Sequence, residues 1–512
     1  MTLTIPLLDG ELWWGGAVAD ASAMPFHAGT RHSRDLAHHS GALGHEGGQQ
    51  NQSAPVLVSS GGRYVASSSP FVFTFDGGVL SVVGGDVVLG ETGGTLRDAY
   101  REASATFFPP SGATPARELF TGPQYNTWIE MPFTPTQESV LAYVRRMLDD
   151  GMPPGVVMID DCWAVDYGVW SFDLARFPDP RGMVEQLHAW GCRVMLWVVP
   201  FVSADSFVFR TLEAAGLLIR DASGGTAVRR WWNGFSALLD LSNPASVSWL
   251  CDRLDALVEL GVDGFKFDAG DLDHYRDDDV TVGGYSPVEM CEAWARVGLR
   301  YPFNEYRACW RMGGQGLAQR LHDRPPSWGS DGIAGLVPAL VTQGLIGLAY
   351  SCPDMVGGGE LDAMAGVVDQ ELFVRYAQVA ALSPMMQFSL SPSRVLDEER
   401  RAAVMRALEL RAQLRDEVVR LVDEAAATGE PVVRAMGYHE PELAGVTDQF
   451  FLGADVVVAP VVERGARTRT VQVPAGEWVL DDGTALSGPG SVELEVPLER
   501  VPVLRRAATT GR

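Results

Sequence analysis

Two acids and one lysine within a short stretch carry most of the chemistry this chain advertises. Gly261 to Asp271 reads Gly-Val-Asp-Gly-Phe-Lys-Phe-Asp-Ala-Gly-Asp, and Lys266 is the only lysine in the sequence, every other cationic side chain of that kind being arginine. An ammonium is a compact point charge with three rotatable donors, and the planar guanidinium fork cannot replace it at a tight site. A lysine two residues before Asp268 therefore suits a carboxylate that has to stay ionised. Further acids stand where apolar runs end: Asp160 and Asp161 in Ile-Asp-Asp-Cys-Trp (159–163), and Asp354. Arg307 and the tryptophans Trp128, Trp163 and Trp197 fall at similar points. Carboxylates accept hydrogen bonds from hydroxyls, and indole faces cover C–H surfaces, so this mixture suits a sugar ring.

The elements that would position these groups are legible in the pattern. Asn243 and Pro244 make a helix start, Val247, Leu250, Leu254, Leu257 and Val258 recur at helical spacing, and Gly261 fits the stop. Val262–Phe267 then reads as a short buried strand, which places Asp268 and Asp271 at its C-terminal end, where barrel enzymes keep their chemistry. From about 115 to 425, strands expected at Tyr125–Met131, Val156–Asp160, Val194–Pro200, Val262–Asp268, Phe303–Cys309, Ile346–Ser351 and Leu382–Phe388 alternate with helical patterns at Gln137–Asp150, Gly182–Trp190 and Pro287–Val297. No Gly-x-Gly-x-x-Gly follows a strand, so the pattern predicts a (β/α)8 TIM barrel rather than a doubly wound sheet. The first hundred or so residues read as short strands with Gly, Ser and Asp turns, and the chain after about 428 does so again. The expected division is an N-terminal β-sandwich over 1–112, the barrel over 113–426 and a C-terminal β-sandwich over 427–512.

Composition sets outer bounds. With 512 residues, 46% hydrophobic and 21% charged, the chain is long enough for several domains and a large core. A net charge of −25 argues against nucleic acid or an anionic membrane surface as a partner. The six cysteines are scattered without a C-x-x-C, which argues against a zinc site and fits a reducing compartment. No basic, apolar leader and no membrane-spanning run stands in the sequence, so the cytoplasm is the expected location. The stretch from His27 to Gln52, with histidines 27, 32, 38, 39 and 45, lacks supporting ligand spacing and reads as a polar loop; no metal site and no organic cofactor is expected.

At these residues the chain resembles glycoside hydrolase family 31. The resemblance runs from about 115 to 505 and rests on Gly168–Pro180, Val194–Phe201, Trp232–Trp249, Pro353–Gly358, Glu371–Pro384 and Gln449–Val462. It implies a retaining enzyme acting on a small oligosaccharide or glycoside with a terminal α-linked sugar, with Asp268 as nucleophile and the two catalytic carboxyls about 5–5.5 Å apart. For the acid/base, the family motif has a tryptophan five residues after the acid and an arginine about 16 before it. Asp323 has Trp328 and Arg307 at those offsets and is the implied acid/base; Asp331, in Trp-Gly-Ser-Asp, is the runner-up. The family's glycine before the acid is His322 here. Arg307 is the implied arginine for the bound sugar, with Arg311 competing for that role.

The sugar follows from departures. Typical α-glucosidases of the family carry Trp-x-Asp at the nucleophile, where this chain has Lys266-Phe267-Asp268, and a histidine where this chain has Ser389. Lys-x-Asp is similar to the nucleophile motif of α-galactosidases in families 27 and 36, and Ile159–Trp163 to the family 27 segment whose acids bind the galactose O4 and O6 hydroxyls. Trp128–Glu130, Lys-x-Asp and Pro-Asp-Met-x-Gly-Gly resemble the myogenesis-regulating glycosidase group and its bacterial kin within family 31. The resemblance thus implies an α-galactosidase, with Asp160, Asp161 and Lys266 as hydroxyl ligands. An α-glucosidase, an α-xylosidase or a transglycosidase on the same site, or a non-catalytic sugar-binding protein, stay as alternatives. Related enzymes often assemble, so a homo-oligomer is allowed.

Overall fold

The computed structural model describes residues 2–37, 52–361 and 366–507. His38, His39 and His45 of the polar N-terminal stretch lie outside the described residues. At its centre stand eight short parallel strands: β1 (Gln124–Asn126), β2 (Val156–Ile159), β3 (Arg193–Val198), β4 (Gly264–Phe267), β5 (Phe303–Tyr306), β6 (Gln319–Arg320), β7 (Ser351–Cys352) and β8 (Gln387–Phe388). They pair in the order β7-β6-β5-β4-β3-β2-β1-β8. The bonds Met385 N–H to Ser351 O (3.2 Å) and Val356 N–H to Gln387 O (2.8 Å) link the two ends, so the barrel is nearly closed.

The helices that cover it form where capping chemistry and apolar spacing agree. Pro244–Leu260 starts at Asn243, whose side chain accepts from Ala245 N–H, and ends at Gly261 with φ +123°. Gln137–Asp149 and Pro287–Gly298 each open on a capping box. Four strands differ from expectation: β1 ends at Asn126 rather than Met131, and β8 covers only Gln387–Phe388 of the expected Leu382–Phe388. β6 has two residues, too few for a pattern. The apolar run Ile346–Tyr350 is a helix end and turn, and β7 begins only at Ser351; a short apolar run does not by its period distinguish strand from buried helix. The β5–β6 connection holds no helix. Instead Cys309–Trp310 leaves the barrel and pairs in parallel with Gln52 and Ser53 of the N-terminal region.

That region contains two antiparallel sheets. One has the order Thr2–Pro6, Val79–Gly84, Phe71–Asp76, His32–Asp35. The other is built on Gln52–Ser59, flanked by Trp13–Ala17 and Arg63–Ala66, with Val88–Glu91 at its edge. Phe71, Phe73 and Phe75 turn inward together, the period of two expected of a strand with one buried face. Residues 96–107 form a helix with Thr95 and Asp98 as a capping box, where strand character was expected to run on to about 105.

At the other end, a six-stranded antiparallel sheet has the order Val433–Ala435, Phe450–Leu452, Val456–Val458, Val503–Arg506, Thr468–Leu480, Ala485–Glu495. Its alternation divides it between two cores. Phe450, Leu452, Val456, Val458 and Val503 join the main core, whereas Phe451, Val457 and Leu504 face a second, smaller core with Val471, Val473 and Trp478. Both faces of Phe450–Leu452 and Val456–Val458 are thus buried, whereas Ala485–Glu495 has no buried residue. No helix among the described residues is long and apolar enough to cross a membrane.

Candidate active site

Asp268 stands one residue past β4, its N–H bonded to Val198 O at 2.8 Å. The chain then makes two left-handed residues. Ala269 has φ +54°, a conformation that costs a Cβ-bearing residue about 1–2 kcal/mol. Gly270 follows at φ +74°, where a Cβ would meet Trp294 at 2.3 Å. The turn aims Ala269 N–H at Asp268 Oδ1 (2.9 Å). From β3, Trp197 Nε1 donates to Asp268 Oδ2 at 2.8 Å. Arg307 Nε lies 3.0 Å from Oδ1 and its Nη2 donates to Asp271 at 2.9 Å. Burial opposes ionisation of Asp268, but the charges of Arg307, Lys266 and Arg320, with the Trp197 bond, outweigh it and hold the carboxyl well below the usual range. This is a carboxylate kept anionic at the mouth of a barrel. Asp271 serves it at one remove, through Arg307.

Strand register places Trp197, Lys266 and Glu305 side by side on β3, β4 and β5. Lys266 Nζ does not bond Asp268; it donates to Asp160 Oδ2 at 2.6 Å, and both side chains are buried. Asp160 is fixed in turn, its N–H on Thr127 Oγ1 at 2.9 Å and its Oδ1 accepting from Asp161 N–H at 2.9 Å. Glu305 is fully buried, and its carboxyl is pushed up by burial, against the pull of Arg320 and Lys266.

Arg320, on β6, was not singled out from sequence, yet it joins much of the site. Its Nη1 donates to Asp323 Oδ1 and to Asp354 Oδ1, each at 2.8 Å, and its Nε lies 3.5 Å from Glu305. Asp323 keeps 30% of its side-chain surface exposed beside Arg320, and its charge, with those of Asp271 and Asp268, also acts on Arg307. Asp331 sits elsewhere, on an exposed turn, accepting from Ser327 Oγ at 2.5 Å. Arg311 likewise points away, to Glu292 at 3.1 Å.

Two further residues expected to bind the sugar are buried and hydrogen-bonded within the protein. Asp354 has no exposed surface and accepts from Arg320 and from the N–H groups of Met355 (2.7 Å), Arg324 (2.7 Å) and Gly359 (2.6 Å). Its carboxyl is pushed up to about 7 by burial. With those donors it organises the 354–359 turn and Arg320. Trp163 is 1% exposed and donates to Trp197 O at 2.7 Å, so it backs Trp197. Trp128 is half-buried and ties the end of β1 to the turn after β7 through Gly359 O (2.9 Å).

Asp161 completes the rim. It accepts from Cys162 N–H (2.6 Å), Tyr167 Oη (3.1 Å) and Asn233 Nδ2 (2.6 Å). Burial, and then the neighbouring Asp160, push its carboxyl up to about 6. Asn233 lies at the tip of the hairpin Val228–Trp231/Gly234–Leu238, and the adjacent Trp232 covers the Arg307 guanidinium at 5.0 Å. Tyr167 and Asn233 were missed; the only signal for the latter was its place in the Trp232–Trp249 segment. A cavity of about 150 Å³ lies here, lined by Asp161, Cys162, Trp163, Tyr167, Arg176 and Trp197.

Ionised and buried carboxylates with indole walls at the C-terminal end of a parallel barrel fit the glycoside-processing barrels, and comparison with known proteins agrees. Residues 122–281 match the glycosyl hydrolases family 31 TIM-barrel domain and residues 429–509 the family 31 C-terminal domain; the chain belongs to glycoside hydrolase family 31. It is similar to the mouse myogenesis-regulating glycosidase, 33% identical over 404 residues that make up 75% of this chain and 56% of that protein. It is also similar to a 1,3-alpha-isomaltosidase of Kribbella flavida, 28% identical over 73% of this chain and 59% of the relative. The chain thus spans little more than half the length of these curated relatives. A family 31 sulfoquinovosidase from E. rectale shares the fold, with a TM-score of 0.87 at 18% identity, over 99% of this chain and 83% of that one.

Proposed function

We propose that this chain is a retaining, exo-acting α-glycoside hydrolase, and that its sugar is galactose. Asp268 attacks the anomeric carbon and forms a glycosyl ester while Asp323 gives its proton to the departing glycosidic oxygen; Asp323 then takes a proton from water, which cleaves the ester. Arg307 and Trp197 keep Asp268 ionised and oriented. The observation that carries the sugar assignment is the buried Lys266–Asp160 pair beside Asp268. The ammonium gives one of its three donors to Asp160 and has two left for sugar hydroxyls, and an epimer whose hydroxyl is out of reach would leave that buried charge short of a partner. Asp161 supports the neighbouring hydroxyl. The substrates in this reading are small glycosides or oligosaccharides with a terminal α-linked sugar. The working division is 1–112, 113–426 and 427–512, and the free cysteines support a cytoplasmic setting.

The test is the initial rate on p-nitrophenyl α-galactoside against the α-glucoside and α-xyloside, with Asp268→Ala as blank. A galactoside preference of about 100-fold, roughly 2.7 kcal/mol of discrimination, is expected. A glucoside or xyloside preference removes the sugar assignment and leaves the two acids. No turnover of any glycoside rejects the hydrolase reading.

A further inference from the structure

Arg307 and Arg320 hold the two proposed catalytic carboxylates, and the backbone carbonyls of both arginines meet at one side chain from outside the barrel. Gln52 Nε2 donates to Arg320 O at 2.6 Å and to Arg307 O at 3.1 Å. Its Oε1 accepts from Gln343 Nε2 at 2.6 Å, and the residue is 1% exposed. Gln52 opens the strand Gln52–Ser59 of the N-terminal sheet and pairs in parallel with Cys309, two residues past Arg307. One primary amide therefore uses both of its N–H groups to fix the spacing between the ends of β5 and β6.

That spacing decides where the two guanidiniums sit. Arg307 reaches Asp268 and Asp271 from one carbonyl, and Arg320 reaches Asp323, Asp354 and Glu305 from the other. The β5–β6 connection has no helix to brace it, so the N-terminal strand supplies the brace. We propose that Gln52 is a positioning residue for the hydrolysis proposed above: it sets the separation of the nucleophile and the acid/base through the backbones of Arg307 and Arg320. The N-terminal sheet is then part of the catalytic apparatus without touching the substrate.

Gln52→Met keeps the side-chain volume and removes both donors. With p-nitrophenyl α-galactoside, or whichever p-nitrophenyl glycoside the wild type turns over fastest, kcat is expected to fall on the order of 10²-fold, since about 1 Å of misplacement has that effect. KM should stay within about threefold, because Lys266 and Asp160, the pair that grips the sugar in the proposed reading, have no bond to Gln52 and keep their own. In a crystal structure of the variant, Arg307 Nε should leave its 3.0 Å contact with Asp268. A folded Gln52→Met with wild-type kcat overturns the proposal, as does an unchanged Arg307–Asp268 contact. If Gln52→Met does not fold, Gln52→Asn, which keeps the amide and shortens its reach by one methylene, is judged on the same two readouts. This proposal rests on the hydrolase reading; if the wild type cleaves no glycoside, that reading fails separately and the crystal structure alone decides the role of Gln52.

Discussion

Lys266→Met separates what the lone lysine does for the fold from what it does for the reaction. The pair Lys266 Nζ–Asp160 Oδ2 is 2.6 Å long with both side chains at most 5% exposed. Removing one partner strands the other as a buried charge, which costs about 3–5 kcal/mol. The lysine also helps hold Asp268 ionised, and in the proposed reading it is a charged donor to a sugar hydroxyl, a bond that contributes about 1.5–3 kcal/mol. Lys266→Met should therefore lose about 10- to 100-fold in kcat/KM on the galactoside. The acidic limb of its pH–rate profile should move upward, because Asp268 loses a neighbouring cation. The double variant Lys266→Met/Asp160→Leu removes the stranded charge as well. It should recover most of the stability in urea titrations followed by tryptophan fluorescence while staying as slow as the single variant. If Lys266→Met keeps both wild-type stability and rate, the pair neither braces the barrel nor reads the sugar. If the double variant recovers activity along with stability, the lysine acts only on the fold.

The acid/base assignment has a paired test. Asp323→Ala should lower kcat/KM about 10²- to 10⁴-fold on an unactivated galactoside, whereas Asp331→Ala, on its exposed turn, should stay within about twofold; the reverse order exchanges the two residues. Asp161 makes stability depend on pH. Its carboxyl lies at about 6 when folded, against an ordinary value of 3.8, so the folded state holds its proton more tightly and the benefit disappears as pH rises from 4 through 6. In urea titrations, Asp161→Asn should gain up to about 3 kcal/mol on the wild type between pH 4 and pH 7. A pH-independent difference would show that this carboxyl is not held protonated by burial beside Asp160.

Much of this arrangement was legible where the signals are local. The helix Pro244–Leu260 has an asparagine cap, an N1 proline and a terminal glycine, so the strand after it and the place of Asp268 followed. The choice of Asp323 over Asp331 rests on the family motif's offsets to Trp328 and Arg307; in the structure Asp323 stands beside Arg320 and Asp331 on an exposed turn, and the paired variants decide their roles. What was hidden depends on long-range pairing. β6 is two polar residues whose inward direction is set by its neighbours, so nothing in Gln319–Arg320 announced a strand or the role of Arg320. Asp354 and Trp163 have the right residue types for sugar ligands, but saturation by three backbone N–H groups, or by one carbonyl, leaves no mark on the sequence. Gln52 lay at the end of a stretch read as a polar loop, and its meaning appears only when Cys309 comes beside it.

The central claim is that Asp268 forms a bond to the sugar. Incubation with 5-fluoro-α-galactosyl fluoride, peptic digestion and mass spectrometry test it directly. A fluoroglycosyl ester on the peptide carrying Asp268, absent from Asp268→Ala, is the predicted result; an ester on another carboxylate, or turnover of the galactoside by Asp268→Ala, would contradict it.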